Sequence, residues 1–237
     1  MIAVTVYRSA DDREHRSPGR VREVYDTIAE HFSKTRANPW PEVEAFLDGG
    51  PAGRCGLDVG CGNGRHLELV AERTDRAVGV DASPALLAEA RDRLPAGRNV
   101  SLIVGDAAAL PVAADTVDVG LYVATLHHLP DRGARRASLD ELARVLAPGG
   151  RALVSVWSTA HDRFDAPADA DRGFDTTVDW TLPDGETVPR FYHIYALPEL
   201  DADLAASALA TEESFVSSGN CYARVRGQRR DEPRRCQ

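Results

Sequence analysis

Short apolar runs alternate with amphipathic segments through the centre of the chain, and the two patterns predict different elements. Five runs of strand length predict β-strands at residues 55–59, 77–80, 100–104, 117–123 and 151–157. Helical spacing predicts helices between them, beginning near Arg65, running from Ser83-Pro84 to Arg93, and running from about Arg132 to Leu146, where Pro148-Gly149-Gly150 ends the last one. Because strands that alternate with helices pair in parallel, the pattern predicts an α/β fold with a doubly wound parallel sheet.

The flanks of this alternating region are more polar. Residues 1–19 are rich in charge and predict a mobile N-terminal arm, and residues 226–237 predict a disordered, solvated tail. A helix is predicted over residues 21–31, and Pro39-Trp40-Pro41 separates it from a second short helix. Residues 20–225 are therefore expected to form one domain.

Composition narrows the class of protein. The chain has 237 residues, 43% of them hydrophobic, which is enough for one α/β domain with a full core. No apolar run approaches the roughly 20 residues that span a bilayer, and the first residues do not resemble a signal peptide, so we expect a cytoplasmic protein without a membrane partner. The four scattered cysteines form no C-x-x-C pair, which favours reduced thiols over disulfides or a metal site.

The charge balance bears on a nucleic-acid partner. The net charge is −9, and Lys34 is the only lysine, so nearly all positive charges are arginines. In dilute buffer an acidic net charge disfavours binding of a nucleic acid. In molar salt the same charges are screened within about 3 Å, so they oppose such binding much less. The sign of the net charge is therefore only weak evidence against an RNA partner.

The most informative local feature is a glycine-rich turn that follows the first predicted strand. Gly60, Gly62 and Gly64 stand at alternate positions, and Asp58 precedes them by two residues. Glycines in such a turn allow positive φ angles and close approach of a ligand, and the following helix offers free N–H groups. The G-x-G-x-G spacing differs from the G-x-G-x-x-G of dinucleotide enzymes. It favours an adenosyl ligand that has no pyrophosphate.

Two further acids follow predicted strands. Asp81 ends the second strand, 21 positions after Gly60, where a carboxylate can accept hydrogen bonds from both ribose hydroxyls. Asp106, within Gly105-Asp106-Ala107, follows the third strand and could accept from an adenine amine. Ligands of doubly wound sheets bind at the carboxyl ends of the strands. A solvated loop aspartate is the commoner interpretation of either acid alone, but together with the glycine turn and Asp58 they favour a nucleoside site.

These features resemble the class I S-adenosylmethionine-dependent methyltransferases. The resemblance covers residues 57–64, 79–81, 105–107, 115–118 and 142–150. It implies a mostly parallel, seven-stranded sheet with helices on both faces, and S-adenosyl-L-methionine as the cofactor. The residues implied in the cofactor site are Asp58, Gly60, Gly62, Gly64, Asp81, Asp106 and Ala107. Tyr25 could cover the cofactor from the N-terminal helix, and an ordinary core aromatic is an equal alternative for it. The resemblance leaves the methyl acceptor open.

The flanking segments narrow the acceptor. Pro39-Trp40-Pro41 and residues 24–36, 178–180, 190–195 and 220–223 resemble the tRNA wobble-uridine methyltransferases that esterify a 5-carboxymethyl group. This resemblance implies a tRNA anticodon loop as the substrate. It also implies a small zinc-binding methyltransferase activator protein as a partner, which adds a strand beside the sheet, and no DNA partner.

Methyl-ester formation needs alignment more than acid–base chemistry. A carboxylate is already ionised at neutral pH, so no general base is required, and correct alignment can lower the barrier by about 7–11 kcal/mol. A guanidinium can hold a carboxylate in bidentate fashion. Arg36 and Arg190 are the candidates for this catalytic role, and a surface or cofactor-tail salt bridge is an equal alternative for each.

Four further residues are expected on the substrate side. His127, assigned a catalytic role, and His128, assigned to substrate binding, close the fourth predicted strand, where class I enzymes place substrate-side residues. Tyr192 and His193 lie in a substrate-side insert expected over residues 158–196, and could stack on or hydrogen-bond an extruded base. A structural packing role is an equal alternative for all four.

Two other functions compete with this interpretation. The first is a methyltransferase of a small molecule, such as a quinone, a sterol or a carboxylic acid, on the same fold. The segment 160–190 is rich in Asp, Thr and Arg, which favours a polar substrate over an apolar one. The second is a non-catalytic cofactor-binding scaffold, against which the intact acids Asp58, Asp81 and Asp106 argue.

Overall fold

A computed structural model describes residues 17–94, 99–167 and 169–228. In this part of the chain the strands, β1 to β9, span Gly53–Val59, Thr74–Asp81, Val100–Val104, Val117–Val123, Leu146–Trp157, Phe174–Thr181, Thr187–Ile194, Leu209–Ser217 and Asn220–Gly227. The helices, α1 to α6, span Pro18–Thr35, Pro41–Leu47, Leu67–Arg73, Pro84–Arg93, Arg132–Val145 and Leu197–Ala206.

Seven strands form one sheet in the order β3-β2-β1-β4-β5-β9-β8. Strands β1 to β5 pair in parallel, whereas β9 runs antiparallel to β5, and β8 antiparallel to β9. The order reverses between β1 and β4, which is where doubly wound sheets bind ligands. The predicted fold class, a mostly parallel seven-stranded sheet, is confirmed.

Helices cover both faces of the sheet because successive side chains of each strand point to opposite faces. On β4, Tyr122 packs in a core cluster with α5 and α6, and its neighbour Leu121 packs in another cluster with α2, α3 and α4. Both side chains are fully buried. The near-continuous apolar run of this strand therefore reflects burial on two sides.

Helix α1 and a separate β-hairpin of β6 and β7 lie outside this sheet and pack on each other. Val24 and Ile28 of α1 form a small apolar cluster with Trp180 of β6 and Val188 of β7. Asp26 joins the same helix to the start of α4, where its Oδ1 accepts from the Ser83 hydroxyl at 2.6 Å. Helix α1 is thereby held over the carboxyl ends of the parallel strands.

Several boundaries differ from the sequence prediction. Helix α1 begins at Pro18, because Ser17 caps it by accepting from the Arg20 N–H at 3.2 Å, so Pro18 and Gly19 belong to the helix and not to the expected arm. Residues 1–16 lie outside the described part. Strand β9 continues to Gly227, so residues 226–227 pair in the sheet, and residues 229–237 of the expected tail lie outside the described part.

The junction of α5 and β5 is the largest difference. The helix ends at Val145 and the strand begins at Leu146, not at residue 151, because Leu146 already pairs with Val117. The segment 148–150 bends within the strand, with Gly149 at a φ of +84°. Helix α3 also begins two residues later than predicted, at Leu67. Within residues 17–94, 99–167 and 169–228, no helix has the length and apolar character of a membrane span.

Candidate active site

A cavity of about 370 Å³ opens at the carboxyl ends of the parallel strands, beneath α1. It lies at the predicted edge of the sheet and is bounded by the glycine turn after β1, the ends of β2, β3 and β4, and one face of α1. The predicted site residues that line it are Tyr25, Gly60, Gly62, Asp81, Asp106, Ala107 and His128.

The glycine turn leaves room for a ligand at one position only. Gly60 has a φ of +70°, and a Cβ there would collide with the Thr125 side chain. Gly62 has a φ of +52°, and a Cβ there would meet only Phe32, at 3.8 Å, because this side of the turn faces the cavity. Gly64 has a φ of +77°, does not line the cavity and packs against α4, where a Cβ would lie 3.2 Å from that of Ala90.

Asp81 is oriented by backbone N–H groups. Its Oδ2 accepts from Gly62 at 2.8 Å and its Oδ1 from Ser83 at 2.9 Å. Burial raises the pKa of Asp81, and the backbone hydrogen bonds partly offset this rise. Each oxygen retains acceptor capacity, so the carboxylate fits a pair of ribose hydroxyls.

Asp106 is held in a similar way at the end of β3. Its Oδ1 accepts from the Ala108 N–H at 2.8 Å. Asp106 is exposed and lies at the rim of the cavity. Ala107 lines the cavity beside it. The geometry is compatible with the predicted contact to an adenine amine.

Asp58 lies behind the glycine turn, not in the cavity wall. Its side chain is buried, and its Oδ2 has no hydrogen-bond partner among the described residues. Burial and the neighbouring Asp81 raise the pKa of Asp58 to about 7. A positively charged group at the turn would relieve this unpaired acid. The orphaned oxygen and the open side of Gly62 therefore fit a ligand with an amino group.

Arg65 is a cavity residue that sequence reasoning missed. It follows the last glycine of the turn and lines the cavity. Burial, together with Arg36 and Arg93, lowers its pKa to about 10. Within the described residues Arg65 has no ion pair with a carboxylate, so it fits a ligand carboxylate. Its place directly after the glycine turn is the one signal that could have identified it.

Tyr25 and His128 close the inner end of the cavity. His128 Nδ1 lies 2.9 Å from the Phe191 carbonyl oxygen, which can only accept, so Nδ1 carries the proton and Nε2 accepts from the Tyr25 hydroxyl at 2.8 Å. Burial lowers the pKa of His128 to about 3. The imidazole is therefore neutral and serves as a hydrogen-bond acceptor.

Arg190 is a buried cation beside this pair. Its side chain lies over two rings, with Cζ 4.7 Å from the Trp180 centroid and 5.2 Å from that of Tyr192. Burial lowers the pKa of Arg190, but the hydroxyls of Tyr192 and Tyr25 raise it overall. Among the described residues Arg190 has no carboxylate partner, and its Nε is buried without a hydrogen bond. A buried cation without an anion is costly, so the arrangement favours an anionic ligand.

Besides Asp58 and Gly64, five predicted residues lie outside the cavity wall, namely Arg190, Tyr192, His127, Arg36 and His193. His127 accepts at Nδ1 from the Trp157 N–H at 3.0 Å, and burial lowers its pKa well below the usual range. Arg36 is exposed, with Cζ 5.2 Å from the Trp180 centroid. His193 is not brought to the cavity, because alternation along β7 turns it away from the face that carries Tyr192.

His193 is instead held between two acids. Its Nδ1 lies 2.7 Å from Asp175 and its Nε2 3.2 Å from Glu199. Burial opposes the charge of His193, but these two carboxylates raise its pKa overall. The residue therefore ties the hairpin to α6, which is the structural alternative to its predicted contact with a base.

Comparison with known proteins agrees with this geometry. A family model described as "Methyltransferase domain" matches residues 57–150. A tRNA (carboxymethyluridine(34)-5-O)-methyltransferase of Arabidopsis thaliana is 40% identical over 142 residues, which are 60% of this chain and 33% of that protein. The protein of the same name from Schizosaccharomyces pombe is 33% identical over 162 residues, or 68% of each chain.

A solved structure shows the same fold. A chain in the complex between the Haloferax volcanii Trm112 methyltransferase activator and a methyltransferase matches with a TM-score of 0.66 at 17% identity, over 90% of this chain and 100% of that one. The present chain spans only about a third of the length of the Arabidopsis relative. From its match to two thirds of the S. pombe protein, the chain belongs to the tRNA (carboxymethyluridine(34)-5-O)-methyltransferase family of class I S-adenosylmethionine-dependent methyltransferases.

Proposed function

We propose that this protein methylates the carboxylate of 5-carboxymethyluridine at the wobble position of tRNA, using S-adenosyl-L-methionine. The observation that carries the proposal is Arg190, a buried guanidinium without a carboxylate partner among the described residues, next to a cavity suited to an adenosyl ligand. The printed names of the Arabidopsis and S. pombe relatives support the same acceptor.

The cofactor would be held by residues that already have the required polarity. Asp81 would accept from the ribose hydroxyls, Asp106 and Ala107 would contact the adenine, and Gly62 leaves space beside the ligand. Asp58 and Arg65 supply opposite charges for the amino-acid end of the ligand. When bound, S-adenosyl-L-methionine supplies an electrophilic methyl group on a sulfonium.

The protein's own contribution to the reaction is orientation. The acceptor carboxylate is ionised at neutral pH, so no residue needs to remove a proton from it. Arg190 would bind it in bidentate fashion, and a hydrogen bond to a charged group contributes about 1.5–3 kcal/mol. Tyr25 and neutral His128 would exclude water from the reacting oxygen without adding a second cation.

The remaining predicted residues take supporting roles in this proposal. Tyr192, predicted to contact the base, would instead position Arg190, because its buried ring lies between Arg190 and Trp157. Arg36 would contact the RNA outside the cavity, since it is exposed. His127 would position Trp157 through their hydrogen bond, and His193 would position the hairpin.

A small zinc-binding activator protein is part of the same proposal, and so is a cytoplasmic location. Strand β3 is an edge of the sheet, paired only with β2 in the described part. Such an edge favours addition of a strand from a partner.

The direct test is methyl transfer by the full chain to anticodon stem-loop RNA that carries 5-carboxymethyluridine, with and without the activator. Nucleoside mass spectrometry is expected to detect the methyl ester on this RNA and none on the same RNA with unmodified uridine. Transfer only to small carboxylic acids would instead support the small-molecule methyltransferase. Failure to bind S-adenosylhomocysteine in calorimetry would support the scaffold.

A further inference from the structure

Arginine and aromatic side chains contact one another in an unbroken series beside the cavity. Arg36 lies 5.2 Å from the Trp180 centroid, and Arg190 lies 4.7 Å from the same ring and 5.2 Å from that of Tyr192. The Tyr192 ring stacks on that of Trp157 at 4.7 Å with an angle of 14°. We call this series, which runs from Arg36 through Trp180, Arg190, Tyr192 and Trp157 to Arg163, the arginine–aromatic ladder.

The ladder ends at Arg163, whose Cζ lies 5.6 Å from the Trp157 centroid. A tight turn after β5 holds it there: the Arg163 N–H donates to His161 Nδ1 at 3.0 Å, and the Phe164 N–H donates to the His161 carbonyl oxygen at 2.9 Å. The rings of His161 and Phe164 pack on Trp157 at centroid distances of 5.6 and 5.8 Å. The turn thus fixes a cation at the opposite end of the ladder from Arg36.

The charge of Arg163 is not neutralised within the described part of the chain. No carboxylate there lies within ion-pair distance of it, whereas Arg132 and Arg136 share Asp203, and Arg144 pairs with Glu141. The side chain of its neighbour Asp162 is 98% exposed, so water screens that acid. Arg163 is therefore available to an external anion.

The electrostatic field of the whole protein does not attract RNA, because the net charge is −9. Affinity for a phosphodiester must come from local arginines without acidic partners. In a polynucleotide, the target nucleotide has a neighbouring nucleotide on each side. Arg190 likewise has an arginine on each side of it along the ladder, Arg36 at one end and Arg163 at the other.

We propose that Arg163 binds the phosphate of a nucleotide next to the target and so favours RNA over the free nucleoside. Trp157 holds the guanidinium in place for this contact, with Tyr192 covering one face of its ring. This inference rests on the proposed function, because Arg190 defines where the target carboxylate lies. It assigns Arg163 to substrate selection and not to the methyl transfer.

The test compares the unsubstituted 237-residue chain with Arg163→Gln, Arg163→Lys and Arg76→Gln on the stem-loop RNA. The salt concentration is varied between about 50 and 200 mM, a range of roughly fourfold over which phosphate contacts are resolved. Arg76 is the matched control. It is exposed near the amino end of β2, whereas the cavity lies at the carboxyl end, and it has no ion pair among the described residues. Arg163→Gln is expected to raise the KM for RNA about tenfold, with a much smaller change in kcat. It should also reduce the slope of log affinity against log salt by about 0.7, the value for one single-strand phosphate.

Arg163→Lys should restore most of the salt slope, because an ammonium also pairs with phosphate, and Arg76→Gln should match the unsubstituted protein. An unchanged slope in Arg163→Gln would overturn the subsite while leaving the proposed function in place. An equal loss with free 5-carboxymethyluridine would also overturn it, since that result means altered packing of Trp157. Lack of any methyl transfer by the unsubstituted chain in the presence of the activator, with S-adenosylhomocysteine still bound, would overturn the proposed function and the subsite with it.

Discussion

The Tyr25 hydroxyl donates a 2.8 Å hydrogen bond to Nε2 of His128, a residue 103 positions away. The bond joins α1, outside the sheet, to the turn that follows β4 inside it. The protonated Nδ1 of the same imidazole meets the Phe191 carbonyl of the hairpin. One neutral histidine therefore connects α1, the carboxyl end of β4 and the hairpin.

Tyr25→Phe is expected to destabilise the protein by about 1–3 kcal/mol, because it leaves the buried Nε2 of His128 without a donor. Denaturant unfolding of the purified chain measures this change. Thr27→Ala on the same helix is the control. Its hydroxyl is exposed and, among the described residues, bonds only to the Glu23 carbonyl, so a change within about 0.5 kcal/mol is expected. Equal unfolding free energies for Tyr25→Phe and the unsubstituted protein would contradict the assigned hydrogen bond.

Arg190→Lys and Arg190→Gln should lower kcat/KM for the carboxymethylated RNA. Loss of one partner of a buried charge pair costs about 2–5 kcal/mol, or roughly 30-fold to several thousand-fold, with lysine the milder change. Arg224→Gln provides a control, since Arg224 also lies over a ring, Phe215 at 5.8 Å, but pairs with Glu213 at 2.9 Å. A loss of S-adenosylhomocysteine affinity parallel to the loss of rate would argue that Arg190 serves the cofactor instead.

Asp81→Asn should weaken S-adenosylhomocysteine binding by more than about tenfold in calorimetry, a cost of at least about 1.4 kcal/mol. The carboxylate accepts from the N–H groups of Gly62 and Ser83, and an amide nitrogen cannot accept from either, so the turn must also shift. Asp75→Asn is the matched control, because Asp75 is exposed near the amino end of β2, away from Asp81. It should bind S-adenosylhomocysteine as tightly as the unsubstituted protein does. Unchanged binding by Asp81→Asn would refute the ribose assignment.

The His193 network predicts a pH dependence of stability. The folded-state pKa of His193 lies above the value of 6.5 expected for the unfolded chain, because Asp175 and Glu199 outweigh burial. Its contribution is therefore fully present below about pH 6.5 and is lost as the pH rises through the raised pKa.

His193→Gln should remove this contribution, so the difference in unfolding free energy from the unsubstituted protein should shrink above pH 6.5. Taking the difference cancels other groups, among them Asp58, whose pKa of about 7 falls in the same window. Urea unfolding at several pH values between 6 and 9 measures it. A difference that grows with pH would reverse the sign and reject the network.

The sequence prediction was accurate for elements whose bounds depend mainly on their own residues. Strands β3 and β4 have the predicted bounds, and Ser83 caps α4 as expected, accepting from the Leu86 N–H at 3.1 Å. The junction at Leu146 was mispredicted because its pairing with Val117 replaces a helical turn, and that pairing is not local. The positions of Asp58 and Gly64 outside the cavity wall could not be predicted for a similar reason, since depth behind the turn is set by the packed sheet.

The sequence by itself determined the fold class, the glycine turn and the acids at the strand ends, because periodicity and turn chemistry act over a few residues. It also determined, through resemblance, the family to which the chain belongs. Only the tertiary structure decided which side chains meet: Tyr25 with His128, Arg190 without a carboxylate among the described residues, and His193 turned away toward two acids. The physical reason is that pairing and charge burial depend on contacts between distant segments, and no local pattern encodes which charge is left without a partner.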